Sequence, residues 1–596
     1  MVSTIATVTL VVLLSSVLLM LSERVNLPPL NELTQEWADS NGYDLADLSS
    51  PVLYGKPLEV LAYISRLPVF GRILFNHLAK ENKVLEVRKL AASLPDLPLY
   101  YPYQEPMILN DKKAEKKQFL LDALSMKSIQ DTNQDVSFKH WTIGDYTSRY
   151  TSGEVTPIQV IQALLLAVEQ NLQSNFSLSL FVEKHNGEIL AQAKASADRY
   201  ARGEPLGVLD GVPVAIKDEI RVKGHRMFLG TSFLGYEEDP AMVDDLPVAR
   251  LRAAGAIILG TTNMQEFGLG VTGYNMHYGT VRNPYNPNCY TGGSSSGSAA
   301  AVASGLVPLA LGVDGGGSIR IPSSFCGVVG IKPTFQRIPS AAAGCPSLAH
   351  VGLIAGSVRD AAIGYAIMSG GDATTFPRGM TQPPVDLHSF EKTVSLKGVR
   401  IGYFSDYTNH SSPKIAVAVT KTLKALEARG ATLIETPLHY LTSIHVAHSI
   451  TIVSEIAQNV DKYYERFDEM SPEARVLLGF DNVLSKVDAF ATPSTGITAP
   501  EIPAQAFAVG EFNAQQIGEI FRFSLYGNLI GVPGIAVPIG YDSRGLPISI
   551  QFQTGHWQED TMLRLAHTTE ELYATIQKKP QVYFSILDEA AKQSVD

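Results

Sequence analysis

Three stretches of the chain place reactive residue types where they could act on one another. The first, Gly211-Val212-Pro213-Val214-Ala215-Ile216-Lys217-Asp218, reads as an apolar strand that ends on a lysine. Most lysines in such a place snorkel out to water. One held inside would be favoured as a neutral amine, able to take a proton. The second stretch is Thr291-Gly292-Gly293-Ser294-Ser295-Ser296-Gly297-Ser298. Flexible linkers share this composition, but here it runs at once into the small-residue helix pattern Ala299–Leu306 and then into a strand. The third is Gly312-Val313-Asp314-Gly315-Gly316-Gly317-Ser318-Ile319-Arg320-Ile321-Pro322-Ser323. Consecutive glycines after a strand let backbone N–H groups turn inward as a nest for an anion. A serine directly behind such a nest could attack a carbonyl whose developing oxyanion the nest receives. A tight structural turn would leave the same pattern, so no stretch decides the matter alone.

The elements that must position these residues alternate along the chain. Thr156-Pro157 supplies an N-cap and a first-turn proline for a helix reaching Leu172, and a second helix covers Gly187–Arg202. Apolar strands are predicted at Val212–Ile216, Ala256–Leu259, Leu309–Val313, Val399–Phe404, Thr432–Ile434, Ala489–Thr492, Ile535–Ile539 and Ile548–Phe552. Helices at Pro247–Ala254, Ser295–Leu306, Pro413–Arg429 and Asp560–Leu572 are interspersed with them. Such alternation implies an α/β fold with a large, mostly parallel sheet and helices on both faces. Two motif matches fail on context. Gly293-Ser294-Ser295-Ser296-Gly297 fits a nucleophile elbow, but Asn286-Pro287-Asn288-Cys289 stands where a strand is required. Gly268-Leu269-Gly270-Val271-Thr272-Gly273 fits a dinucleotide fingerprint, but Asn263–Glu266 separates it from the preceding strand.

In this order, the three stretches resemble the amidase signature family. The match runs from Gly292 through Pro322, with Lys217 in the family's GVPxxxKD strand. Gly260–Glu266, Arg282-Asn283-Pro284, Gly330–Pro333, Pro493–Gly496 and Gly531–Gly540 also look familial, and the likeness covers roughly residues 140–575. The run Val208–Ile220, the serine box and the apolar helices before the body are most similar to plant-type fatty acid amide hydrolases. The resemblance implies a mixed, mostly parallel sheet and a Ser-Ser-Lys hydrolase that forms an acyl-enzyme. By position, Ser318 would be the nucleophile, with Ser294, joined to Gly293 by a cis peptide bond, bridging it to Lys217. The amides of Gly315, Gly316, Gly317 and Ser318 would hold the oxyanion, with Ser294 beside the bound substrate. Ser295 would hydrogen-bond around the relay, and Asp314 and Arg320 would support it. The implied substrate is a fatty acid amide or N-acylethanolamine. A general small-amide amidase, a glutaminase subunit of a transamidosome and a catalytically impaired membrane scaffold are the alternatives. One departure is visible: only Phe480–Val487 stands between Gly479 and Asp488, where the family has a longer helical stretch. That shortening of the 475–490 region is what makes impairment an alternative.

The ends of the chain carry a separate signal. Ile5–Leu21 is an apolar run bounded by Glu23 and Arg24, at the lower limit for crossing a hydrocarbon core. Its flanks fit a single-pass anchor, with the body on the cytoplasmic side, better than a cleaved signal that would make the protein secreted or lumenal. Residues 53–80 read as two short helices opened by Pro57 and Pro68, either packed on the body or lying on a membrane surface. The expected divisions are 1–24 (anchor or signal), 25–135 (helical and extended cap with linker), 136–582 (catalytic domain) and 583–596 (tail). The chain has 596 residues, 45% of them hydrophobic and 18% charged, which excludes intrinsic disorder and a fibrous protein. A net charge of −11 without a long basic run argues against a nucleic-acid partner. Three scattered cysteines and no CxxC pair give neither a disulfide framework nor a zinc knot, and no cofactor is implied. The expected partners are a lipid amide, a membrane surface and, as an open option, a second copy of the chain.

Overall fold

The computed structural model describes residues 43–86 apart from 49, 66 and 85, then 138–340, 345–370, four positions between 382 and 387, 395–438, 441–460 and 489–592. The apolar run Ile5–Leu21, the linker beyond residue 86 and the shortened stretch Phe480–Val487 lie outside these residues. Local signals account for the helices that the sequence marks most clearly. Thr156 and Gln159 form a reciprocal capping box ahead of Pro157–Leu172, whose first-turn proline sacrifices no intrahelical bond. Thr142 and Asp145 do the same for Ile143–Ser152, which stops on Gly153 in the left-handed conformation.

Eleven strands form the central sheet. In chain order they are β1 (Phe181–Glu183), β2 (Pro213–Lys217), β3 (Ile257–Thr262), β4 (Leu309–Asp314), β5 (Val329–Lys332), β6 (His350–Ala355), β7 (Arg400–Tyr403), β8 (Thr432–Glu435), β9 (Ala489–Pro493), β10 (Gly534–Tyr541) and β11 (Pro547–Thr554). Their spatial order is β8-β7-β9-β11-β10-β5-β6-β4-β2-β3-β1. The sheet is mixed, and the expectation of a mostly parallel one is corrected. Only β2–β3, β2–β4, β7–β8 and β7–β9 pair in parallel, while the other six pairings are antiparallel. Three of these arise where the β5–β6 pair enters between the two halves without a helical crossover; the others are the β10–β11 hairpin, β11 against β9, and β1 at the edge against β3.

Two features of this sheet position the candidate site. Parallel pairing sets Ile216 opposite Leu311, so β2 and β4 end side by side and deliver Lys217 and Asp314 to the same edge. The helix Ser296–Ala303 is buried along its whole length and packs on β4 and its neighbours. Its small residues permit that approach: a Cβ on Gly297 would lie 2.6 Å from the Leu180 carbonyl oxygen and 2.7 Å from that of Asn263.

Outside the main sheet, Arg282–Asn283 pairs with Asn286–Tyr290 in a two-stranded ribbon. A strand therefore does precede the serine box, contrary to expectation, but it is no strand of the main sheet, so the nucleophile-elbow geometry is still missing. Glu266–Gly268 is a short 3₁₀ turn, and no helix opens on residues 268–273. The two proline-opened helices are Lys56–Ser65 and Pro68–Glu81, and the first buries Leu58 and Ala62. Leu53–Tyr54 pairs with Glu511–Phe512 and ties this segment to the body. Beyond residue 583, the helix Ile586–Lys592 buries Ile586, Leu587 and Ala590 in the main core. Among the described residues no helix is long and apolar enough to cross a membrane.

One fully buried guanidinium joins the two halves of the sheet. Arg320 Nε and Nη2 each donate to the Asp314 carboxylate at 3.0 Å, Nη1 donates to Gln551 Oε1 at 3.0 Å, and Nη2 also donates to the Ser524 carbonyl. Arg320→Ala would strand the Asp314 carboxylate in a dry interior, so a loss of about 3–5 kcal/mol is expected. Arg320→Lys should recover little of it, because an ammonium cannot reproduce the planar fork. Urea denaturation at neutral pH measures both, and a loss below about 1 kcal/mol for the alanine variant would show that the pair is not what holds this joint.

Candidate active site

Lys217 is fully buried at the end of β2, and its Nζ lies 2.8 Å from Ser294 Oγ. The same nitrogen donates to the Val313 carbonyl at 3.3 Å and stands 2.8 Å from Glu219 Oε2. The Gly293–Ser294 peptide bond is cis, as expected. The Gln265 amide holds the Ser294 carbonyl at 3.2 Å, and the Val271 carbonyl accepts from Gly293 N–H at 2.9 Å. Ser295 grips the neighbouring strand: its Oγ donates to the Val313 carbonyl at 3.3 Å and accepts from the Val313 amide at 3.4 Å. Its own N–H donates to the Ser318 carbonyl at 3.2 Å, which ties the serine box to the glycine triplet.

Ser318 keeps 9% of its surface open, whereas Ser294 keeps 1% and Lys217 none. The serine expected to meet substrate is thus the most accessible of the three. No hydrogen bond joins the Ser294 and Ser318 hydroxyls among the described residues. The two segments are tied through the backbone by the Ser295 N–H to the Ser318 carbonyl.

The loop from Gly315 to Ser318 is shaped by Asp314. Its Oδ1 accepts from Gly317 N–H at 2.7 Å and its Oδ2 from Ile319 N–H at 3.2 Å. Asn528 Nδ2 donates to the Asp314 carbonyl at 2.7 Å and to Oδ1 at 2.9 Å. Burial opposes the ionised form, but Arg320, Lys332 and Asn528 outweigh it and hold this carboxyl well below the usual carboxylate range. Gly317 has φ +113°, and a Cβ there would meet Ile321 and Ser524 within 2.7 Å, so only glycine fits. The Gly317 N–H is engaged by Asp314 and is not offered to an oxyanion, while the amides of Gly315, Gly316 and Ser318 have no internal acceptor among the described residues.

Several residues here carried no sequence signal. His448, on the helix Leu441–Val460, donates from Nε2 to the Gly315 carbonyl at 2.7 Å. A Cβ on Gly316 would lie 2.9 Å from its Cε1. Asn528, Gln551 and Ser524 reach Asp314 and Arg320 from beyond residue 520. Glu219 alone had a local cue, its place two residues after Lys217.

Comparison with known proteins bears on this geometry. The amidase family profile matches residues 162–478 and 473–563. The chain is 34% identical over 589 residues to a fatty acid amide hydrolase of Medicago truncatula, covering 91% of this chain and 96% of that one. It is also 33% identical to a glutamyl-tRNA(Gln) amidotransferase subunit of Koribacter versatilis, covering 70% and 97%. This chain belongs to the amidase signature family. The crystal structure of an amidase superposes with a TM-score of 0.61 at 26% identity, covering 72% of this chain and all of that one. A bacterial aryl acylamidase at 22% identity and a TM-score of 0.62 shares the fold. The protein is accordingly an amide-hydrolysing enzyme.

The amidase's His448 offers a pH test of the loop. Burial pushes its imidazole down to about 4, against some help from the Gly315 carbonyl. An unfolded chain takes up this proton near pH 6.5, and the folded one only near 4. Between those values the unfolded state binds a proton that the fold excludes, so stability falls on acidification. The stability of wild type minus that of His448→Gln isolates this group, and it should drop by on the order of 3 kcal/mol from pH 6.5 to pH 4. Urea melts at four or five pH values measure it, and a flat difference would mean that His448 is hydrated or paired.

Proposed function

We propose that this amidase cleaves fatty acid amides through a covalent acyl-enzyme on Ser318, with Lys217 and Ser294 moving the proton. The observation that carries this reading is the 2.8 Å contact between the buried Lys217 amine and Ser294 Oγ, with the more open Ser318, behind three glycines, tied by its carbonyl to the Ser295 amide next to Ser294. In the reaction, Ser318 Oγ attacks the amide carbonyl and passes its proton to Ser294, whose own proton goes to Lys217. The carbonyl oxygen becomes an oxyanion facing the amides of Gly315, Gly316 and Ser318, with Ser294 beside it, and one such donor contributes about 2.7–4 kcal/mol. The relay then runs backwards and protonates the nitrogen as the C–N bond breaks, since an unprotonated amine is a very poor leaving group. Water completes the cycle by the same route, releasing a carboxylic acid.

The substrate class rests on where the relatives match. The fatty acid amide hydrolases of Medicago truncatula and Arabidopsis thaliana align with 91–92% of the chain, the amidotransferase relative with 70%. The fatty acid amide hydrolases thus match more of this chain than the amidotransferase does, and the chain carries an apolar helical segment before the body. Its two helices expose Val60, Tyr63, Val69 and Phe70 on a face that suits a membrane surface, from which a lipid amide would enter. This association, an N-terminal anchor and dimerisation belong to the reading and rest on no contact between copies or with lipid.

Ser318→Ala should abolish labelling by a fluorophosphonate probe and reduce release of fatty acid from long-chain amides by at least 10³-fold, a scale set by loss of a nucleophile. Labelling that persists in this variant would remove Ser318 from its role. Lys217→Ala should lower turnover of amides by at least tenfold more than turnover of matched esters, whose leaving groups need less acid catalysis. Equal losses on both would count against the relay, and release only from short-chain amides would point to a general amidase.

A further inference from the structure

The surroundings of Lys217 contain one ionisable partner that this mechanism has not used. Glu219 follows β2 in a tight turn closed by donation from its own N–H and that of Ile220 to the Lys217 carbonyl, at 2.7 and 3.0 Å. The turn brings its side chain back over the lysine, where Oε2 lies 2.8 Å from Nζ, both groups being buried. Gly268 completes the enclosure: a Cβ there would stand 3.5 Å from Ser294 Oγ and 3.9 Å from Glu219 Oε2.

The acceptor count around Nζ is informative. An ammonium has three N–H donors and no acceptor. Nζ faces three acceptor atoms, Ser294 Oγ at 2.8 Å, Glu219 Oε2 at 2.8 Å and the Val313 carbonyl at 3.3 Å. A neutral amine has two N–H groups and one lone pair. If Glu219 and Val313 each take an N–H, the lone pair can only face Ser294. The carboxylate thus has a place in both halves of the proton's journey: it aims the free base, and it faces the charge that appears when the proton arrives.

We propose that Glu219 is a positioning residue of the relay, orienting the Lys217 amine on Ser294 and stabilising the ammonium that proton transfer creates. This rests on the Ser318–Ser294–Lys217 reading above. The other titratable groups near Lys217 are already engaged or uncharged. Asp218, on the same turn, points away and accepts from the Phe228 and Gly230 amides at 3.1 Å, and burial pushes it up to about 8. Asp314, at the end of β4, is held by Arg320. The Cys345 thiol, in the loop before β6, is pushed well up by burial. His448, from the helix Leu441–Val460, is occupied at Gly315. Glu219 is therefore the one carboxylate in contact with the Lys217 amine among the described residues.

The test uses the full-length enzyme, with kcat/KM for a long-chain amide and the rate of fluorophosphonate labelling followed from pH 5 to 10. Glu219→Gln keeps the shape and an acceptor oxygen but removes the charge, so the free base should persist to lower pH. The acid limb of both profiles should move down by about 1–3 pH units, the span expected for loss of an adjacent opposite charge. Amide kcat at the plateau should fall at least fivefold with KM changed less than twofold, and Glu219→Asp should restore part of both. A role confined to packing would leave the pH limb in place. An active, labelled wild type whose profile superimposes on that of Glu219→Gln overturns the role of Glu219 alone. A wild type with neither label nor turnover overturns the relay and this inference together.

Discussion

The loop that carries Ser318 takes its shape from one carboxylate in a dry interior. Asp314 leaves β4 at the sheet edge and turns back to bind the amides of its own loop, the Arg320 fork and Asn528. An ionised carboxylate placed here without partners would be costly enough to unfold the region. Saturating it therefore dictates the path of every residue from Gly315 to Arg320. Gly317 has to be glycine because its N–H must reach Oδ1 while its Cα passes Ser524 and Ile321. The amides of Gly315, Gly316 and Ser318 are those that the carboxylate does not need. The same balance that makes the fold tolerable thus decides which donors remain for chemistry.

A second constraint comes from strand direction. Lys217 and Asp314 are 97 positions apart, yet parallel pairing of β2 with β4 brings both to one edge. The serine box enters from above, on a helix whose small residues let it lie against the strand ends. Ser295 locks this arrangement by gripping both backbone polar groups of Val313, the residue whose carbonyl also receives the lysine. Three chain segments thus share a single backbone position. Displacing any of them would disturb the distance between amine and hydroxyl.

How much of this could be read beforehand depended on the range of each signal. Helices with local punctuation were legible almost to the residue: Pro157–Leu172 has its capping box and proline, and Pro413–Ala428 its opening proline. The strands predicted from apolar runs are all present. Three others carry weaker signals: β1 and β5 are only three and four residues long, and β6 pairs antiparallel with strands on either side of it in space. Their omission explains part of the error about the sheet. β5 and β6 contribute three of the antiparallel pairings; the others are β9–β11, the β10–β11 hairpin, whose two strands follow one another with no helix between, and β1–β3 at the edge. Lys217, Ser294 and Ser318 are proposed on resemblance, since the motif residues sit together in sequence patterns even when each pattern alone is weak. His448 and Asn528 had no such advantage. A histidine in a long apolar helix and an asparagine in a short one look like ordinary core residues until the fold sets them against Gly315 and Asp314.

The same physics separates the two buried cation sites, though both pair with a carboxylate. Arg320 is permanently charged, its fork is matched to Asp314, and every other contact adds to the match. Such a group can hold a fold together but cannot take part in proton transfer. Lys217 has a compact amine with a carboxylate on one side and a hydroxyl on the other. Its amine touches both Glu219 Oε2 and Ser294 Oγ at 2.8 Å, so it has a hydroxyl partner that the guanidinium lacks. Proton transfer needs a group that can give up its proton as well as hold it, which a lysine amine can do and a guanidinium cannot. The arrangement fits a division of labour in which Arg320 is saturated to keep the loop fixed and Lys217 is left with one partner able to give and receive a proton.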